Sequence, residues 1–343
     1  TDFAEDSGCS KLMMDCAWKN RDWEKVRSLC SSPSIVAALE TGDFEVKMSE
    51  IFLAIADGKL SEVENLHAQT AQLCLYKWRL LPSVFSGCNA HTSLLHHFHR
   101  LIDLKESGQI MVETSTHSNG KTCPDLKNLL SAWRYRLPND FDLISYWEDI
   151  FQWRFHMFTA ITTNFHWAEQ GTLASLHDRP WTAIRMAKTA RKQGLQDVAR
   201  LSLGKLTDCA MDVSDAFSKL REQILSYRHG SDEQRTGGLN LVNTTNLSYF
   251  DANQKGELFR LKAEFLESLK GGRTKATQAY CHSVQICPTY ARTWTSWGGL
   301  CWSLAVYIEK LQSKGKREDT EKVTSNAMKV GQYLAQSMGC YLE

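Results

Sequence analysis

The chain has 343 residues, with 40 basic against 39 acidic side chains and a net charge of +1. Apolar residues make up 43% and charged residues 23%, the balance of a globular rather than a disordered chain. Near-neutral charge gives no electrostatic case for direct nucleic-acid or anionic-membrane binding, and no apolar run is long enough to cross a bilayer. The length suits two or three ordinary domains or one long repeat array.

In chain order, the periodicity predicts helices near 10–30, 44–56, 59–80, 91–107, 124–136, 141–167, 180–193, 195–206, 212–228, 252–270, 273–287, 290–312 and 318–338. Turn signals at Asp57-Gly58, Pro82, Pro138-Asn139, Gly194, Gly271-Gly272 and Pro288 separate them. Polar loops are expected at 114–123, 169–179, 229–238 and 313–318, and no strand series appears. The expected fold is therefore all-α, a solenoid of antiparallel helical hairpins. It reads as one continuous helical-repeat segment over 1–343, with sub-blocks 1–168 and 180–343, cut from a much larger chain. Eleven cysteines at irregular spacing, without a CxxC, read as reduced, buried thiols.

The helix near 91–107 carries His91, His96, His97 and His99. His96 and His99 could share a face and, with Asp103, approach a zinc ligand set. The plainer reading is a partly packed or solvated helix carrying imidazoles.

The segment from Trp133 to Ile161 holds nine aromatics in 29 residues. On a helical wheel, Ser145, Asp149, Gln152, His156 and Thr159 form a narrow polar stripe, expected at a solvent edge. Ile144, Trp147, Phe151, Phe155, Phe158 and Ile161 form one apolar flank, and Tyr146, Ile150, Trp153, Met157 and Ala160 a second. A helix with two apolar flanks is gripped from both sides. Arg154 falls between the flanks, opposite the polar stripe. An unpaired buried guanidinium costs several kcal/mol, so Arg154 either finds a carboxylate or helix-end carbonyls on an adjacent helix or snorkels to an edge. At this density Trp147 and Trp153 read as core rather than as binding hot spots.

Further along, Gly194 stops one helix and opens a hairpin. Ala276-x3-Tyr280, Pro288 and Trp294-x2-Trp297-Gly298 match parts of two tetratricopeptide units in one register, with Gly271 at a turn. One 34-residue period before Trp294 stands Arg260, so the first half of that unit is degenerate. Ala276 and Gly298 are small enough to let helices approach closely. The basic stretch Lys310, Lys314, Lys316 and Arg317 alternates with acids and reads as a solvated loop. No phosphate-binding loop, kinase catalytic loop, nucleophile elbow or metal triplet is present, so neither catalysis nor a cofactor is expected. A stand-alone helical enzyme would need a pocket with convergent polar groups.

An ordered series of motifs adds to this. Trp133-Arg134-x-Arg136-Leu137-Pro138 is followed by Trp147-x2-Ile150-Phe151-x-Trp153-Arg154-x-His156. Then come Ala190-Arg191-Lys192-Gln193-Gly194-Leu195, Phe217-x-Lys219-Leu220-Arg221-Glu222-Gln223 and Trp294-x2-Trp297-Gly298. The series resembles the FAT region of the transformation/transcription domain-associated protein family, within the phosphatidylinositol-3-kinase-related kinase superfamily, most strongly over 131–300. The resemblance implies a nuclear, non-catalytic scaffold in histone acetyltransferase coactivator complexes. It implies contacts with a kinase-like domain of the same chain, with other complex subunits and with transcription activators. The alternative is a regulatory FAT segment of an active kinase of the same superfamily. The short polar stretch after Trp167 and the histidines at 96, 97 and 99 depart from the family pattern. The candidate structural residues are Arg154, Trp133, Arg134, Arg136, Pro138, Trp147, Trp153, Gly194, Trp294 and Gly298.

Overall fold

A computed structural model describes residues 7–33, 44–82, 89–116, 126–164, 179–207, 209, 211–269, 271–314 and 320–342. Among them are fifteen α-helices, one short 3-10 turn and no strand, so the fold is an all-α helical repeat. The chain divides into two compact units, Thr1–Asp178 and Arg179–Glu343.

Unit 1 contains α1 (Ser7–Lys19), α2 (Trp23–Cys30), α3 (Phe44–Ala56), α4 (Leu60–Leu80), α5 (Asn89–Thr116), α6 (Leu126–Tyr135) and α7 (Ile144–Asn164). The single helix expected over 10–30 is two helices, because the chain turns at Arg21 with φ 63°. Asp22 N donates to Ala17 O at 3.0 Å and Arg21 N to Trp18 O at 3.2 Å, a Schellman closure. A side chain in this left-handed position costs roughly 1 kcal/mol. The Arg21 guanidinium lies 4.2 Å over the Phe155 ring, which offsets part of that cost. Asp22 then caps α2 by accepting from Lys25 N at 3.0 Å. Gly58, at φ 71°, closes α3 by the same motif, and Pro82 follows the end of α4. Helix α5 runs to Thr116, into the stretch expected as loop.

One core serves unit 1. It joins Met14 and Trp18 of α1, Ile51 and Ile55 of α3, Leu101 and Leu104 of α5, and Trp153, Met157 and Ile161 of α7. Trp18 stacks on Trp153 at 4.9 Å between ring centroids. Burying one such indole removes about 200 Å² from water, worth about 5 kcal/mol before entropy is charged.

Unit 2 contains α8 (Arg179–Lys192), α9 (Gln196–Gly204), α10 (Val213–Tyr227), α11 (Asp232–Thr244), α12 (Ala252–Ser268), α13 (Arg273–Ile286), α14 (Ala291–Lys314) and α15 (Thr320–Leu342). Successive helices pack on one another, α8 on α9, α12 on α13 and α14 on α15. Two capping boxes begin α11 and α12, at Ser231 with Gln234 and at Asp251 with Gln254. Helix α11 occupies much of the stretch expected as a loop over 229–238. Gly238 is the point where α11 packs on its neighbours. A Cβ there would lie 2.9 Å from the Phe265 ring and 3.0 Å from Tyr227 Cβ.

The same device recurs. A Cβ at Gly256 would meet Cys287 Cβ at 3.0 Å, and the Ser283 hydroxyl donates to Gly256 O at 2.7 Å. A Cβ at Gly298 would stand 3.2 Å from the Tyr341 ring, and Ser337 donates to Gly298 O at 2.9 Å. In both cases a glycine admits the next helix and a serine hydroxyl on that helix binds the glycine carbonyl. The described cysteines are free. Cys74, Cys287, Cys301 and Cys340 are buried as expected, but Cys16 is exposed at a helix surface.

Candidate functional site

Helix α5 turns a polar stripe inward beside its apolar core residues Leu94, Leu101 and Leu104. Its polar residues at three- and four-residue spacing, His96, His99, Arg100, Asp103 and Ser107, face inward, while Leu95, Ile102 and Val112 are exposed. Asp103 is 1% and Arg100 2% exposed. Buried charges of this kind persist only when paired and hydrogen-bonded; α3 supplies the partner of Arg100, and α7 with the turn after α6 those of Asp103.

Arg154 on α7 is 7% exposed. Its Nε donates to Asp103 Oδ2 at 2.7 Å, its Nη1 to Trp133 O at 2.7 Å, and its Nη2 to Arg136 O at 2.7 Å. Nη2 also lies 3.0 Å from His99 Nε2. A guanidinium can only donate, so that nitrogen accepts from Arg154 in the tautomer that leaves it unprotonated, and in the other tautomer donates to Arg136 O, 3.2 Å away. One side chain therefore binds a carboxylate, an imidazole and two carbonyls from the C-terminal end of α6. Both kinds of acceptor anticipated for Arg154 are present, and its guanidinium does not reach an edge.

Arg136 closes the set, donating to Asp103 Oδ1 at 3.2 Å and to Glu106 Oε1 at 2.7 Å. The Trp133 indole N–H donates to Glu106 Oε2 at 3.2 Å, and the Arg154 guanidinium lies 5.4 Å over the Trp133 ring. Two cations face two carboxylates, so the hub is neutral if His99 is neutral. Burial, then the Arg154 charge, lowers His99 to a pKa of about 3, which keeps it so. Burial raises the Asp103 carboxyl while Arg154 and Arg136 pull it back.

A second network lies along the same helix. Arg100 binds Glu45 of α3 through both nitrogens, at 2.7 and 2.8 Å, and its guanidinium sits 5.1 Å over the Trp153 ring. Asp149 pairs with Lys19 at 3.3 Å and approaches His96 at 3.8 Å. Gln152 donates to Lys19 O at 2.9 Å, satisfying a carbonyl at the end of α1. The stripe expected at a solvent edge of α7 is therefore largely an interface. Ser145 and Thr159 are exposed, but Asp149 and Gln152 bind α1, and His156 is buried edge-on to Trp23 at 4.9 Å. Burial, then the Arg21 charge, lowers His156 to about 4. The wheel fixed the angle of the stripe but not what lay across it.

The four histidines of α5 go to different partners. His91 meets Trp78 edge-on, His96 stacks on Tyr146, His97 lies against Phe44, and His99 joins the hub. Among the described residues no group of three or more His, Cys, Asp or Glu is placed to hold a metal ion.

Unit 2 carries charge differently. Arg191 of α8 donates to Glu222 of α10 at 2.8 Å, and Arg221 donates to Glu222 at 2.9 Å and to Glu257 of α12 at 2.6 Å. Arg260 pairs with Glu264, which Arg228 reaches at 3.5 Å. Arginine and glutamate thus alternate across three helices as a ladder. Arg260, at the degenerate tetratricopeptide position, is one of its rungs.

Of the other candidate residues, Trp147 is fully buried and donates to Asn139 O at 3.0 Å, and Trp153 is in the core. Gly194 has φ 83°, with Leu195 N donating to Ala190 O at 2.8 Å. Trp294 donates to Pro288 O at 2.7 Å and stacks on Trp297. Arg134 is exposed and Pro138 half-buried. Lys316 and Arg317 of the basic stretch lie outside the described residues, as does Trp167. Glu45, Arg100 and Glu106 were not singled out from sequence. For Arg100 and Glu106 the signal was the three- and four-residue polar spacing on α5, which ordinarily marks a solvated face; Glu45, on α3, gave none.

A family model of the FAT domain matches residues 10–343. The SAGA complex/NuA4 acetyltransferase complex subunit TRA1 of Saccharomyces cerevisiae is 32% identical over 320 residues, covering 87% of this chain and 8% of that protein. The transformation/transcription domain-associated protein of Mus musculus is 29% identical over 330 residues, covering 91% of this chain and 13% of that protein. The SAGA complex/NuA4 acetyltransferase complex subunit Tra1 of Schizosaccharomyces pombe is 31% identical over 324 residues, with 87% and 9% covered. This chain therefore spans only a small part of the length of the relatives it matches. By the extent of the family match, the chain belongs to the FAT domain family.

Proposed function

We propose that this chain is a non-catalytic scaffold segment of a nuclear transcription coactivator subunit that works within histone acetyltransferase complexes. In this reading it packs against a kinase-like domain of the same protein and gives other subunits, and transcription activators, a shaped helical surface. The observation that carries the reading is the FAT match over 10–343, together with relatives named as acetyltransferase-complex subunits. The chemistry agrees with it. The most deeply buried charged side chains, Arg154, Asp103, Arg100 and Glu222, are each paired with a residue on a neighbouring helix. Groups so engaged hold a shape and are not poised to meet a substrate.

The test is purification of the intact protein under mild conditions, with identification of its partners and assays of acetyl transfer to histones and of phosphate transfer. Co-purifying acetyltransferase activity without intrinsic phosphate transfer is expected. Phosphate transfer abolished by substituting a single catalytic aspartate in the kinase-like domain would overturn the reading.

A further inference from the structure

We draw no further inference here: the strongest candidate, the surface patch of exposed apolar side chains Met328, Met338, Tyr341 and Leu342 on α15 in unit 2, is an unpartnered apolar face, and nothing in the structure shows what covers it.

Discussion

Unit 1 and unit 2 solve one problem, how to lock stacked helices, with different chemistry. Unit 1 converges buried charge on a point, where Arg154 satisfies four acceptors drawn from α5 and α6. Unit 2 spreads its charge along a ladder in which Arg191 and Arg221 keep partial contact with water while Arg260 is buried, and brings its helices together over glycines. A convergent hub fails at its centre, because removing Arg154 strands Asp103 in a dry interior. A ladder fails rung by rung, since each remaining charge has a second partner or solvent.

The largest expected effect breaks the hub. Arg154→Met leaves Asp103 buried opposite Arg136 alone and frees the Trp133 and Arg136 carbonyls, at a cost of about 3–5 kcal/mol. Amide exchange is expected to accelerate through α5 and α7 while α12 and α13 keep their protection. Arg154→Lys should lie between, because an ammonium keeps the charge but not the planar fork that reaches four acceptors. Adding Asp103→Leu to Arg154→Met should recover part of the loss. If Arg154→Met melts no earlier than the parent, the hub contributes nothing to stability.

Acid separates the units next. His99 and His156 are held neutral in the fold, at about 3 and about 4, chiefly by burial. Unfolded, each titrates near 6.5, so between those values the unfolded state binds more protons and stability falls as pH falls. The contribution of these histidines is therefore fully present well above pH 6.5, and each should cost unit 1 up to about 2.5 kcal/mol by pH 4.5. The described histidines of unit 2, His229 and His282, are exposed. Exchange protection corrected for intrinsic rates is expected to drop in α5 and α7 and to hold in α12. Equal losses in both units would remove the histidines as the cause.

A rung of the ladder gives a smaller effect. Glu222 is buried and accepts from Arg191 and Arg221. Glu222→Gln should cost about 1.5–3 kcal/mol, the worth of charge-assisted bonds with partial solvent relief. Urea titration of the variant is the measurement, and a loss matching that of Arg154→Met would erase the distinction between hub and ladder.

These contrasts were unequally legible in the sequence. Arg154 stood out because a charge occupied an arc the wheel required to be apolar, and the acceptor types followed from the cost of burying it. Its partners did not stand out, because Asp103 and His99 lie some 50 residues earlier on a helix that buries a polar stripe beside its apolar one. Periodicity gives the angle between stripes, and only packing decides which stripe meets water. The same limit hid the burial of His156. Arg21 concealed the break between α1 and α2, since a left-handed turn there gives no glycine to read. The FAT motif series was legible because it is ordered along the chain, so it identified the family without the contacts.

The smallest effects lie at the adjacent glycines Gly237 and Gly238 of α11. Gly237 is exposed with nothing within 4 Å of its virtual Cβ, whereas Gly238 would press its Cβ into Phe265 at 2.9 Å and Tyr227 at 3.0 Å. Gly237→Ala should stabilise by up to about 1 kcal/mol, because the helix loses the entropic penalty of glycine and gains no clash. Gly238→Ala gains the same propensity but must displace the aromatic ring and a Cβ at the heart of the packing, at about 1–3 kcal/mol, so it should destabilise on balance. Thermal melts of the two single variants test this. Opposite shifts from adjacent residues are the outcome expected if unit 2 is held by close helix approach. Shifts of the same sign would mean that α11 can move off Phe265 without cost, and that the ladder alone holds the unit together.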